Sequence, residues 1–124
     1  MQILILLGAI MACLGIALGA FGAHALKDKF VEPRYAAIWE TAVNYQMYHA
    51  LGLLLVGILS SNALLGESSM LSWAGYLMFA GTIFFSGSLY ILAVTGVKKL
   101  GAITPIGGVL FIVAWVLVAL SALF

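Results

Sequence analysis

The run ILILLGAIMACLGIALGAFGAHAL, residues 3–26, contains no Asp, Glu, Lys or Arg and decides the fold. About 20 apolar residues in a helix cross the roughly 30 Å hydrocarbon layer of a bilayer. Lipid offers backbone N–H and C=O groups no partners, so a crossing segment must satisfy them internally, as a helix does. A barrel would need many short alternating strands instead. No such alternation interrupts this run.

Working outward, three further apolar runs follow. Lys27, Asp28, Lys29, Glu32, Pro33 and Arg34 end the first. A second helix is expected from Pro33, which suits a first helical turn because its missing N–H is not needed there. It continues to about Leu59. Ser60–Ser69, with Asn62, Gly66 and Glu67, form the next connection, and a third helix runs from about Met70 to Thr95. Gly96, Lys98, Lys99 and Gly101 break the pattern. Thr104 then reads as an N-cap, with Pro105 as the first residue of a helix reaching Phe124. The expectation is an all-α integral membrane four-helix bundle. It forms one membrane domain, residues 1–124, with helices at about 3–26, 33–59, 70–95 and 104–124.

Composition agrees. The 124 residues are 65% hydrophobic and 7% charged, with a mean hydropathy of +1.24. Soluble domains average about 25% charged residues. Five Lys/Arg and four Asp/Glu cannot cover a wet surface, and a net charge of +1 gives nothing for nucleic acid to bind. Cys13 is the single cysteine, so no intrachain disulfide forms, and a free Cys in an apolar helix behaves as a small hydrophobe.

Ala23 and Ala25 give the first run a small-x-small end, as at a signal-peptide cleavage site. However, Lys and Arg are absent before the run, and it exceeds the usual 7–15 apolar residues, so an uncleaved helix is expected. Lys27, Lys29 and Arg34 lie in the first connection, Lys98 and Lys99 in the third, and no basic residue in the second. Basic loops stay cytoplasmic, which predicts both termini and the Ser60–Ser69 loop outside. Gly15, Gly19 and Ala23 form overlapping small-xxx-small pairs, expected to pack helix 1 inside the bundle rather than to build a dedicated dimer face.

Polar residues inside the spans are the candidate site. At about 100° per residue, Glu40, Thr41, Asn44, Tyr45, Tyr48 and His49 share one half of the helix 2 wheel. Trp39, Ala42, Val43, Met47, Ala50 and Leu54 occupy the other half, with Gln46 as the exception. Polar groups avoid lipid, so the stripe is expected to face other helices or a wet cavity. Thr82, Ser86, Ser88 and Tyr90 on helix 3 reach comparable depths, which suggests a hydrogen-bonded network between helices 2 and 3. His24 and Glu40 sit near the same membrane face. They read either as a proton-handling or ligand-binding pair or, preferably, as a structural contact between helices 1 and 2. His49 lacks a second metal ligand at the i, i+4 spacing and is expected to be a neutral imidazole bonded to Ser86 or a tyrosine. No metal, cofactor or catalytic motif is indicated: Gly-x-Ser-x-Gly, His-Glu-x-x-His, a phosphate loop and Cys-x-x-Cys are all missing. Phe85-Ser86-Gly87-Ser88 matches intramembrane serine proteases only superficially.

Four blocks resemble a known family: GAFGAHAL at 19–26, WETAVNYQMYHALG at 39–52, FSGSLY at 85–90 and GAITPIGG at 101–108. They are similar to domain-of-unknown-function family 423, small bacterial membrane proteins, and to the eukaryotic transmembrane protein 256 group. The resemblance implies a four-helix protein of the bacterial cytoplasmic membrane, with a role in membrane integrity. It supplies no reaction and no catalytic residues. The expected function is therefore a non-enzymatic multi-pass protein that supports membrane integrity or organises a membrane partner. The alternative is an oligomeric proton-coupled small-molecule transporter, for which Glu40 would have to serve because helix 1 lacks a carboxylate. Expected partners are membrane lipids, with a homo-oligomer as a further option and no nucleic acid.

Overall fold

A computed structural model describes residues 2–30 and 32–124. Four helical segments are long and apolar enough to cross a membrane. They are α1 (Gln2–His24), α2 (Tyr35–Leu59), a third span built from α3 (Ser69–Thr82), a π-helical turn (Ile83–Gly87) and α4 (Ser88–Thr95), and a fourth span. That last span comprises a 3₁₀ turn (Lys98–Ala102) and α5 (Thr104–Leu123). No strand occurs among the described residues.

Two helix starts differ from expectation. Pro33 lies in a turn ahead of α2, where the Tyr35 N–H bonds the Glu32 carbonyl at 2.9 Å, so the helix proper begins two residues later. Thr104 is already helical: Ile103 is the cap residue, without a side-chain cap. The Thr104 hydroxyl turns instead to Ser88, 2.6 Å away in the third span. That interhelical bond competes with capping and wins. Ser68 does cap α3, its hydroxyl accepting from the Leu71 N–H at 3.2 Å.

Successive spans pack as antiparallel neighbours: α1 on α2, α2 on α3 and α4, and α3 on α5. α1 meets α3 only marginally, chiefly through Leu4, which is fully buried against Gly75. The buried residues of α1 are Leu4, Gly8, Met11, Gly15 and Gly22, with half-buried Leu18 in the same register. Alternating steps of four and three keep one seam facing its partner, as in left-handed helix pairs. Glycine is required where the backbones meet. A Cβ on Gly8 would press on the Ala50 carbonyl at 2.7 Å, and one on Gly22 would collide with the Trp39 indole. In lipid, where burial of apolar area gives no advantage between helices, this close approach is the source of the packing energy.

Two apolar cores result. Leu4, Met11, Ala50, Leu53, Leu71, Met78 and Ala114 meet towards the Ser60–Ser69 end, drawing on all four spans. Towards the other end, Tyr35, Trp39 and Ala93 pack with Leu18, Phe30 and Tyr90. At that same end lie both basic connections; Arg34 there pairs with Glu32 at 2.5 Å, both side chains well exposed. Such a pair contributes little to stability.

Candidate functional site

The π turn at Ile83–Gly87 interrupts the third span near its middle. π turns insert one extra residue into a helix and are frequent at functional positions. Here the turn sits at a close helix crossing: a Cβ on Gly107 would press on the Gly81 carbonyl at 2.7 Å and on Phe85. Within the turn and just beyond it, the chain presents Ser86 and Tyr90, one turn apart, to α2. Ser88, on the opposite side, meets the fourth span.

Those three residues anchor a set of interhelical hydrogen bonds. Ser86, fully buried, donates to the Ala42 carbonyl at 2.7 Å. Tyr90 donates to the Gln46 side-chain oxygen at 2.6 Å. The Gln46 amide nitrogen in turn donates to the Met11 carbonyl on α1 at 2.8 Å, so one side chain ties three spans together. Ser88 and Thr104 share a hydrogen bond at 2.6 Å. Thr41 and Thr82 return their hydroxyls to their own helices, on Ala37 and Met78, which satisfies them without crossing to a neighbour.

His49 forms a second centre. Its Nε2 accepts from the Trp115 indole N–H at 3.0 Å, and its Nδ1 lies 2.8 Å from the Tyr45 carbonyl. An accepting Nε2 carries no proton, so the proton is on Nδ1 and donates to Tyr45. The ring is thereby a neutral tautomer with both nitrogens occupied, and no lone pair is left for a metal. Phe111 stacks on it with centroids 3.5 Å apart. The bonded partners are Trp115 and a backbone carbonyl rather than Ser86 or a tyrosine hydroxyl. Tyr45, His49, Phe85, Phe111 and Trp115 line an apolar groove of about 660 Å³ on the outside of the bundle between α2 and α5.

The sequence-derived residues thus separate into three groups. Ser86, Ser88 and Tyr90 join interhelical bonds, and His49 is buried in the aromatic centre. Glu40, Asn44 and Tyr48 point away from the other helices, with Tyr48 58% exposed, and Tyr45 is partly exposed beside the groove. The expectation that the whole α2 stripe faces its neighbours is corrected here. Of that stripe His49 is buried, and Trp39, Ala42 and Ala50, from the opposite half of the wheel, are buried as well. The reason is steric: the glycine seam of α1 accepts Trp39, Val43, Met47 and Ala50, and Ala42 lies against Ser86 of the third span. Gln46, the exception on the wheel, is the amide that crosses between helices, and its place among Ala42, Ala50 and Leu53 was the available signal.

His24 and Glu40 are both exposed, and no hydrogen bond or ion pair joins them among the described residues. Glu40 instead borders a cavity of about 380 Å³ between α1 and α2, with Gly19, Gly22, Ala23 and Trp39. Gly15 is buried against Met47, Gly19 faces Val43 and Ala23 is exposed. No group of three or more His, Cys, Asp or Glu suited to a metal occurs among the described residues.

Residues 18–108 match the model of a family described as "Protein of unknown function (DUF423)". The chain is 51% identical to a UPF0382 membrane protein of Staphylococcus epidermidis, over 99% of this chain and 97% of the relative. It is 52% identical to the UPF0382 membrane protein YwdK of Bacillus subtilis, over 98% of this chain and 97% of that one. No solved structure matches.

Proposed function

We propose that this chain, which belongs to the DUF423 family of membrane proteins, has a non-catalytic role: it supports membrane integrity or organises a membrane partner. One observation carries the reading. Every buried side-chain polar atom among the described residues has a hydrogen-bond partner, and those partners lie within the bundle. Polar groups serving transport or catalysis face a substrate path, whereas Gln46, Ser86 and Tyr90 are each engaged across helices and hold the helices together. No Asp or Glu is buried among the described residues, so the interior offers no carboxylate to carry a proton.

On the same reading the protein's immediate partners are bilayer lipids. The aromatic groove beside His49 lies in the middle of the spans and is lined by Tyr45, Phe85, Phe111 and Trp115, a surface that suits a hydrocarbon chain. Both termini face outward and both basic loops face the cytoplasm, in the cytoplasmic membrane of a bacterium.

Liposomes test the reading directly. Vesicles with the reconstituted protein are expected to leak protons no faster than protein-free ones. In cells lacking the protein, raised dye permeability is expected to be restored equally by the wild type and Glu40→Gln. Proton flux present in the wild type and lost in Glu40→Gln, with unchanged thermal stability, would establish the transporter instead.

A further inference from the structure

α2 leaves one face uncovered by the rest of the bundle. Glu40, Asn44, Tyr48, Leu51 and Leu55 are exposed at steps of three and four residues, which makes a continuous strip along the helix. Asn44 lies one turn in from its loop end, on the opposite side of α2 from buried Gln46 and Leu53. At 1.5 Å per residue, Asn44 lies about 14 Å along the helix from Tyr35, roughly 10 Å inside a 30 Å hydrocarbon layer. No hydrogen bond engages its carboxamide among the described residues, unlike Gln46 two positions on. Water does not reach that depth from the loop end, and acyl chains offer neither donor nor acceptor.

We infer that this strip is the contact face of a homodimer, in which Asn44 of one copy hydrogen-bonds to Asn44 of a second copy across a two-fold axis along the membrane normal. Three features select a second copy over other occupants. Copies inserted in the same orientation carry identical residues at identical depths, so parallel α2 helices bring Asn44 opposite Asn44. A carboxamide holds donor and acceptor together, so two of them satisfy each other reciprocally, as a two-fold interface requires. A single Asn in an otherwise apolar helix seam is also a recognised means of setting register and copy number. Tyr48, Leu51 and Leu55 supply apolar contact along one side of Asn44. Glu40 lies a turn nearer the loop end, where its carboxylate keeps access to water. The inference rests on packing alone and stands or falls separately from the role proposed above.

Disulfide trapping in reconstituted vesicles tests it. In a Cys13→Ser background, Leu51→Cys is expected to cross-link to its counterpart on mild oxidation. Ile112→Cys, on the outward face of α5 at 66% exposure, is expected to remain monomeric. Adding Asn44→Leu removes both reciprocal bonds of the pair and should lower the dimerisation constant read from a dilution series by about eightfold to three-hundredfold, the range given by two membrane hydrogen bonds. Asn44→Gln, which keeps both donor and acceptor, should retain most of it. Helix content and Trp39 emission should be unchanged in all these variants. Cross-linking through Ile112→Cys in preference to Leu51→Cys would overturn the inference. So would dimerisation indifferent to Asn44→Leu, a monomer at every dilution, or an Asn44→Leu variant that no longer folds.

Discussion

Tyr90 donates its hydroxyl hydrogen bond to the side-chain oxygen of Gln46 over 2.6 Å, and the amide N–H of the same Gln46 donates to the Met11 carbonyl on α1. Three of the four spans are therefore joined at one carboxamide. Gln46→Leu should lower the thermal midpoint in mild detergent by the equivalent of about 1–3 kcal/mol, because it removes two bonds of about 0.6–1.7 kcal/mol each. Tyr90→Phe, which removes one, should cost about half as much. A midpoint unchanged in Gln46→Leu would show that this carboxamide does not hold the spans together.

Gly8 and Gly22 should tolerate substitution poorly. Gly22→Ala forces the Trp39 indole away from the position where its N–H bonds the Leu18 carbonyl at 2.9 Å. Trp39 emission should shift and the α1–α2 contact should loosen. Gly8→Ala meets backbone rather than a movable side chain, so it should be the more damaging. Gly108→Ala, where an added Cβ touches nothing, is the control. Equal melting behaviour across the three variants would contradict the packing described for α1.

The His49 tautomer is open to direct observation. Nitrogen NMR of labelled protein should show Nδ1 as the protonated, pyrrole-type nitrogen and Nε2 as the bare, pyridine-type one. In Trp115→Phe the Nε2 resonance should move, having lost its donor, while Nδ1 stays bonded to Tyr45. A proton on Nε2 in the wild type would mean that the Trp115 hydrogen bond is not formed.

The groove predicts lipid contact at one tryptophan. Among variants keeping a single tryptophan, Trp115 fluorescence should be quenched most by lipids brominated deep in the chain. Trp73, exposed but only four residues from the start of α3, should respond to bromine near the headgroup, and buried Trp39 to neither. Quenching of Trp39 equal to that of Trp115 would contradict the exposure pattern.

Topology is checked with single cysteines in a Cys13→Ala background. Impermeant reagent added outside should label Asn62→Cys and spare Lys98→Cys, since basic loops are retained inside. The reverse pattern would invert the protein.

Hydropathy alone determined four helical crossings, because lipid admits no other arrangement for long uncharged runs and the backbone's own hydrogen bonds enforce it. The placing of Lys27, Lys29, Arg34, Lys98 and Lys99 in two connections at one end was equally local information. Which face of each helix turned inward was not legible in that way. In water, polarity separates inside from outside; between helices in lipid, shape does. Gly8, Gly15 and Gly22 open a seam that takes Trp39, Ala50 and Gln46, and the polarity of Asn44 carried no weight against that fit. The π turn at Ile83–Gly87 is not legible in the sequence for a related reason. Its sequence is ordinary helix, and only the close crossing of Gly81 and Gly107 beside Phe85 marks the place where an extra residue is accommodated. Chain chemistry thus determined how many helices cross and where they bend back, while three-dimensional packing decided which polar groups meet, since steric fit depends on residues far apart in the chain.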